Sequence, residues 1–122
     1  VSKEEQLLEE WMRRLLMGAW RIQLQTNVHP GDMIIEGAVG CSQWQESTSV
    51  ALIQIIDPER YQGIVPFDFE KTLVHELLHL KLCMLGDKMA DDESLRNREL
   101  HRMIEELARA LVDAKRSGSA NG

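Results

Sequence analysis

The feature that most constrains this chain is a double change of hydrophobic period. Leu7, Leu8, Trp11, Met12, Leu15, Leu16 and Ala19 recur at helical spacing with the charges on the opposite face. Ser2 followed three residues later by Glu5 is a capping-box start for that helix. From Trp20 the period falls to two: Trp20, Ile22 and Leu24 alternate with Arg21, Gln23 and Gln25, the pattern of a half-buried strand. From Phe69 onward the period is helical again. A chain of 122 residues that reads helix, strands, helix, helix has room for one domain. The expected class is α+β, with a small, mostly antiparallel sheet of about three strands backed by helices.

Within the middle zone, His29-Pro30-Gly31-Asp32 is a turn and Met33–Ile35 reads as a short second strand. Gly37-Ala38-Val39-Gly40 extends that strand or breaks it, and glycines there mark a bulge or a close approach. Val50–Ile56, rich in β-branched residues, is the strongest strand signal, closed by Asp57-Pro58. In the last zone Asp68 is the expected N-cap of a helix over Phe69–Leu85, with Gly86 as its C-cap. A polar loop, Asp87–Glu93, leads to a helix from about Ser94 to Lys115, with Leu100, Met103, Ile104, Leu107, Ala108 and Leu111 as its apolar stripe. The domain is expected to span 1–116, with 117–122 a frayed polar tail.

Charge and composition exclude several function classes. The net charge of −6 opposes binding to nucleic acid or anionic lipid, and no apolar run is long enough to span a bilayer. The opening residues lack the basic-then-apolar pattern of an export signal. Cys41 and Cys83 therefore read as two thiols, and the expectation is a cytoplasmic protein. The amphipathic first helix could also serve an oligomer.

The chemistry lies in residues 75–79, His75-Glu76-Leu77-Leu78-His79, a complete HExxH. Residues four apart share one helix face, so both imidazoles can reach one metal ion, with Glu76 beside them as a general base to water. Thr72, Leu73, Val74, Leu77, Leu78 and Leu80 carry no charge, so the motif sits on a buried helix. Two histidines and a glutamate on such a face are costly without a metal. A catalytic zinc site needs a third protein ligand. No histidine follows His79 closely, which directs attention to the last helix, where Glu105 and His101 are four apart on one face. Glu105 is the preferred ligand, with His101 as the alternative or as its buttress. His29 and Tyr61 read as a solvated loop residue and a surface tyrosine.

Thr72–Leu80 together with Ile104–Leu111 resembles the minimal gluzincin-type zinc metallopeptidases, the minigluzincins, and small HExxH proteins of phages. The resemblance implies a zincin-like fold: an N-terminal helix, a twisted sheet, an active-site helix and a C-terminal ligand helix. It implies one zinc per chain on His75, His79 and a helix carboxylate, and Glu76 as the base that cleaves a peptide or protein substrate. It also implies an edge strand that binds the substrate in extended form, and Val50, Ala51, Leu52 and Ile53 are the expected segment. Two departures are Lys81, where such motifs keep an apolar residue, and the competition between His101 and Glu105. The other function class is a latent zincin-like module that binds zinc and acts through partners.

Overall fold

The computed structural model describes residues 2–82 and 93–121. Its elements are α1 (Lys3–Arg14), β1 (Arg21–Val28), β2 (Gly40–Gln45), β3 (Val50–Ile56), α2 (Phe69–Lys81) and α3 (Glu93–Asn121). Single 3₁₀ turns lie at Pro30–Asp32 and Pro58–Arg60. The α+β class and the count of three strands agree with the periodicity.

Helix α1 starts where its capping residues put it: the Ser2 hydroxyl accepts the Glu5 N–H at 3.1 Å. It ends with Met17 N–H donating to the Met12 carbonyl and Leu16 N–H to that of Arg13, the paired bonds of a Schellman turn. That turn needs a left-handed residue, and here it is Leu16 at φ 58°, with its side chain in solvent. Leu8 and Trp11, at the centre of the apolar stripe, are buried in the core.

The sheet has the order β1–β3–β2. The expectation of a mostly antiparallel sheet is corrected: β2 pairs antiparallel with β3, but β1 pairs parallel with it, Arg21 opposite Val50 through Gln25 opposite Gln54. The reason is the length of the connection from β1 to β3. Residues 29–49 suffice for a crossover, and β2 is taken from within it. Met33–Ile35 is not a strand. It follows the first 3₁₀ turn and is held on the sheet by Ile34 N–H donating to Gln54 Oε1 at 2.8 Å. The second strand is Gly40–Gln45 instead.

Alternation along β3 separates the two faces of the sheet. Ala51, Ile53 and Ile55 join the core with Leu73, Leu77 and Leu80 of α2. Gln54 points the other way, and its amide satisfies Gln25, Ile34 and the Cys41 thiol. Asp68 caps α2 as expected, accepting the Lys71 N–H at 3.2 Å. Helix α2 is buried from Leu73 to Leu78 and again at Leu80, while Lys81 is exposed just beyond. Helix α3 runs antiparallel to α2, since Arg116 meets Asp68 while Glu105 meets His75.

Among the residues of α3 whose burial is described, Ile104, Ala108 and Val112 are the fully buried ones, so the stripe is narrower than expected: Met103 and Leu107 face solvent. The helix also continues to Asn121, so residues 117–121 extend it where a frayed tail was expected. The expected helix end at Leu85–Gly86, the loop that follows it, and Cys83 lie outside the described residues. No described helix is long and apolar enough to cross a membrane.

Candidate metal centre

His75 and His79 are one turn apart on α2, and both turn toward α3. Their Nε2 atoms are 3.1 Å apart. His101 of α3 closes the group: one ring nitrogen from each of His75, His79 and His101 lies within 4.8 Å of the other two. Its ring meets that of His75 edge-on, with 4.8 Å between centroids. His75 is buried, His79 half-buried and His101 exposed, so the cluster opens to solvent on the α3 side.

Glu105 takes a different place from the one expected. Its Oε2 lies 2.6 Å from His75 Nδ1, on the side of the ring away from His79. Among the described residues the ring nitrogens that come together are those of His75, His79 and His101, while Glu105, the ligand preferred on the sequence, stands behind His75. The physical reason is axial offset. In the antiparallel helix pair Glu105 meets His75 Nδ1, and one turn earlier on α3 the His101 ring lies 4.8 Å from that of His75 and 5.5 Å from that of His79. A neutral His75 that donates Nδ1–H to Glu105 presents its Nε2 lone pair to the cluster, the usual way a carboxylate orients an imidazole ligand.

The electrostatics suit a cation. Burial lowers the pKa of His79 to about 4, aided by the neighbouring His75 and His101. Burial also holds His75 below the ordinary histidine range, although Glu105 pulls it upward. These imidazoles are neutral at pH 7, the state a metal ligand requires. Tetrahedral zinc with bonds of 2.0–2.1 Å separates its nitrogens by about 3.3 Å, close to the 3.1 Å between His75 and His79. Three nitrogen donors fit zinc and also nickel, copper or iron.

Glu76 faces the sheet. It is 6% exposed, and burial raises its pKa to about 7, opposed by a hydrogen bond from Ser42 and reinforced by the charge of Glu105. Gly40 makes this approach possible. A Cβ there would lie 2.8 Å from Thr72 Cγ2 and 3.3 Å from Glu76 Oε2. The glycine-rich stretch does mark a close approach, but Ser42 carried no signal in the sequence, because an isolated serine in a polar segment fits any loop.

Val50, Ala51, Leu52 and Ile53 cannot be the substrate strand. They lie on β3, the central strand, with β1 on one side and β2 on the other. Their backbone groups are already used. The edge strand beside Glu76 is β2. His29 accepts the Gly31 N–H, and Tyr61 donates to the Val65 carbonyl and packs on Phe67. Both are occupied within their own loops.

No protein-family model matches the chain, and no curated protein or solved structure does either.

Proposed function

We propose that this protein is a zinc-dependent peptidase whose ion is held by His75, His79 and His101. The observation that carries the reading is the convergence of three imidazoles, with the buried Glu76, its pKa raised to about 7, next to His75 in the chain. Zinc in such a site supplies Lewis acidity toward a carbonyl and toward water. Glu76, with a pKa of about 7, takes a proton from the attacking water and returns it to the leaving amine. Glu105 keeps His75 in the ligand tautomer. Among the described residues strand β2 pairs with β3 alone, and an extended peptide can add to its other edge as a further strand.

A Glu76→Gln variant is expected to retain one zinc per chain by elemental analysis. Its peptide hydrolysis should fall by roughly 10²–10⁴-fold. Undiminished hydrolysis would remove Glu76 from the reaction, and a wild type without zinc would remove the site.

One observation favours a second reading, a latent zinc-binding module. Gly40 and Ser42 pack directly on Glu76 and leave it 6% exposed. Under that reading the wild type binds zinc with no measurable turnover on any unstructured peptide.

A further inference from the structure

Two polar clusters join α2 to α3, and the second lies at the far end of the helix pair from the imidazoles. Arg116 donates to both oxygens of Asp68, at 2.8 and 3.0 Å, and to Glu70 at 3.3 Å. Lys115 bridges Glu70 and Glu10. Trp11 Nε1–H donates to Glu70 at 2.7 Å, so α1 is tied into the same group. Glu70 is 8% exposed and sits in the first turn of α2. The cluster thus joins α1, α2 and α3 around one buried carboxylate.

We propose that this cluster is a register clamp, in which Glu70 and Arg116 are positioning residues that set His101 level with His75 and His79. The inference rests on the three-imidazole reading of the site and deepens it. The apolar contact between the helices, Ile104, Ala108 and Val112, repeats every four residues. A seam that repeats at one-turn intervals resists a one-turn slip poorly. Such a slip moves a side chain by about 5.4 Å along the axis, more than the 4.8 Å that spans the three nitrogens. The clamp has no such repeat. Bidentate pairing of a guanidinium with a carboxylate is specific in direction and distance, and Asp68 is itself fixed by capping α2. Glu105 and Lys115 are ten residues apart, so the clamp acts over about 15 Å of helix. Neither Glu70 nor Arg116 touches the imidazoles, so an effect on metal binding must travel through helix position.

The test measures Zn(II) and Co(II) affinity by chelator competition, with helicity monitored to confirm folding. The variants are Arg116→Gln, Arg116→Lys and the pair Lys115→Met with Arg116→Gln. Ile53→Val serves as a control that loosens the core without touching the clamp. The paired variant is expected to bind metal roughly tenfold more weakly, with a weakened Co(II) visible spectrum. Arg116→Gln alone, at an exposed position, shows a smaller loss in a folded protein, and Arg116→Lys recovers part of it. Ile53→Val keeps wild-type affinity despite its lower melting temperature. Affinity in the paired variant within about twofold of wild type overturns the clamp. So does an equal loss in Ile53→Val, which would mark a general effect of stability. Failure of the wild type itself to bind one metal ion overturns the site reading, and the clamp with it.

Discussion

The two ends of the α2–α3 pair are both polar, and they solve the problem of burying polar groups in opposite ways. At one end Asp68, Glu70, Lys115 and Arg116 are of opposite sign and satisfy one another. Burial pushes the Glu70 carboxyl upward, but hydrogen bonds from Lys115 and Trp11 outweigh it and hold the group below its ordinary range. At the other end His75, His79 and His101 come together, and burial drives His75, His79 and the neighbouring Glu76 toward their neutral forms. Burial raises Glu76 to about 7 and lowers His79 to about 4. Three ring nitrogens there lie close enough to hold a metal ion. The same helices therefore carry an ion-paired joint and an imidazole cluster, distinguished by whether burial is offset by opposite charges or by loss of charge at His75, His79 and Glu76.

The comparison breaks most easily in the metal-free protein. Glu70→Leu leaves Lys115 and the Trp11 N–H without their shared partner, and is expected to lower the unfolding free energy by about 3 kcal/mol in urea titration. His79→Ala, which removes no ion pair among the described residues, should change it by less than about 1 kcal/mol. Equal losses at the two ends would erase the distinction. With metal present the order of importance inverts. Glu105→Ala should weaken zinc binding by roughly 10–100-fold through loss of the His75 orientation, and His101→Ala should weaken it further. The reverse order would return the third-ligand place to Glu105.

The pH dependence sharpens the contrast. Glu76 holds its proton more tightly folded than unfolded, so its contribution to stability is full below about pH 4.3 and is lost as pH rises through about 7. His79 binds its proton more weakly when folded, so its contribution is full above about pH 6.5 and is lost as pH falls through about 4. The two slopes oppose each other between about pH 4.3 and 6.5, and since His75 is also depressed, metal-free wild type should rise there more gently than Glu76→Gln. Glu76→Gln removes one slope, leaving stability that rises with pH by up to about 1.4 kcal/mol per unit over that window. Urea midpoints against pH read this directly, and a flat profile in the variant would show that the histidines are not depressed. The smallest effect belongs to the solvent-exposed part of the helix joint. Lys71 and Asp113 are 3.3 Å apart with Asp113 59% exposed, and Asp113→Asn should cost under about 0.5 kcal/mol.

What the sequence disclosed follows from how local each determinant is. The HExxH face, the Ser2 and Asp68 caps and the Val50–Ile56 strand are written within a few turns or one strand, so period and spacing reveal them. Strand β2 was hidden because it is an edge strand whose core-facing positions are kept small. Gly40 and Ser42 pair opposite Ile55 and Ile53 while Thr72 and Glu76 press on them, and a strand without apolar alternation reads as loop. Parallel pairing of β1 with β3 was equally hidden, since strand direction depends on the path of the connection rather than on either strand. His101 and Glu105 share one helix face, so spacing alone left both open. What separates them is the axial position of α3 on α2, a tertiary quantity that the distant pairing of Asp68 with Arg116 helps to define.

The third imidazole comes from α3, and this has a consequence for the order in which the site comes into being during synthesis. His75 and His79 leave the ribosome together, while His101 follows more than twenty residues later, and the clamp residues Lys115 and Arg116 follow that. A nascent chain can display two imidazoles on a helix while it still lacks the partner that closes the cluster. Under the proposed three-imidazole site, full coordination would require α3 to have docked, which makes metal uptake a late step in maturation rather than a template on which the early chain folds.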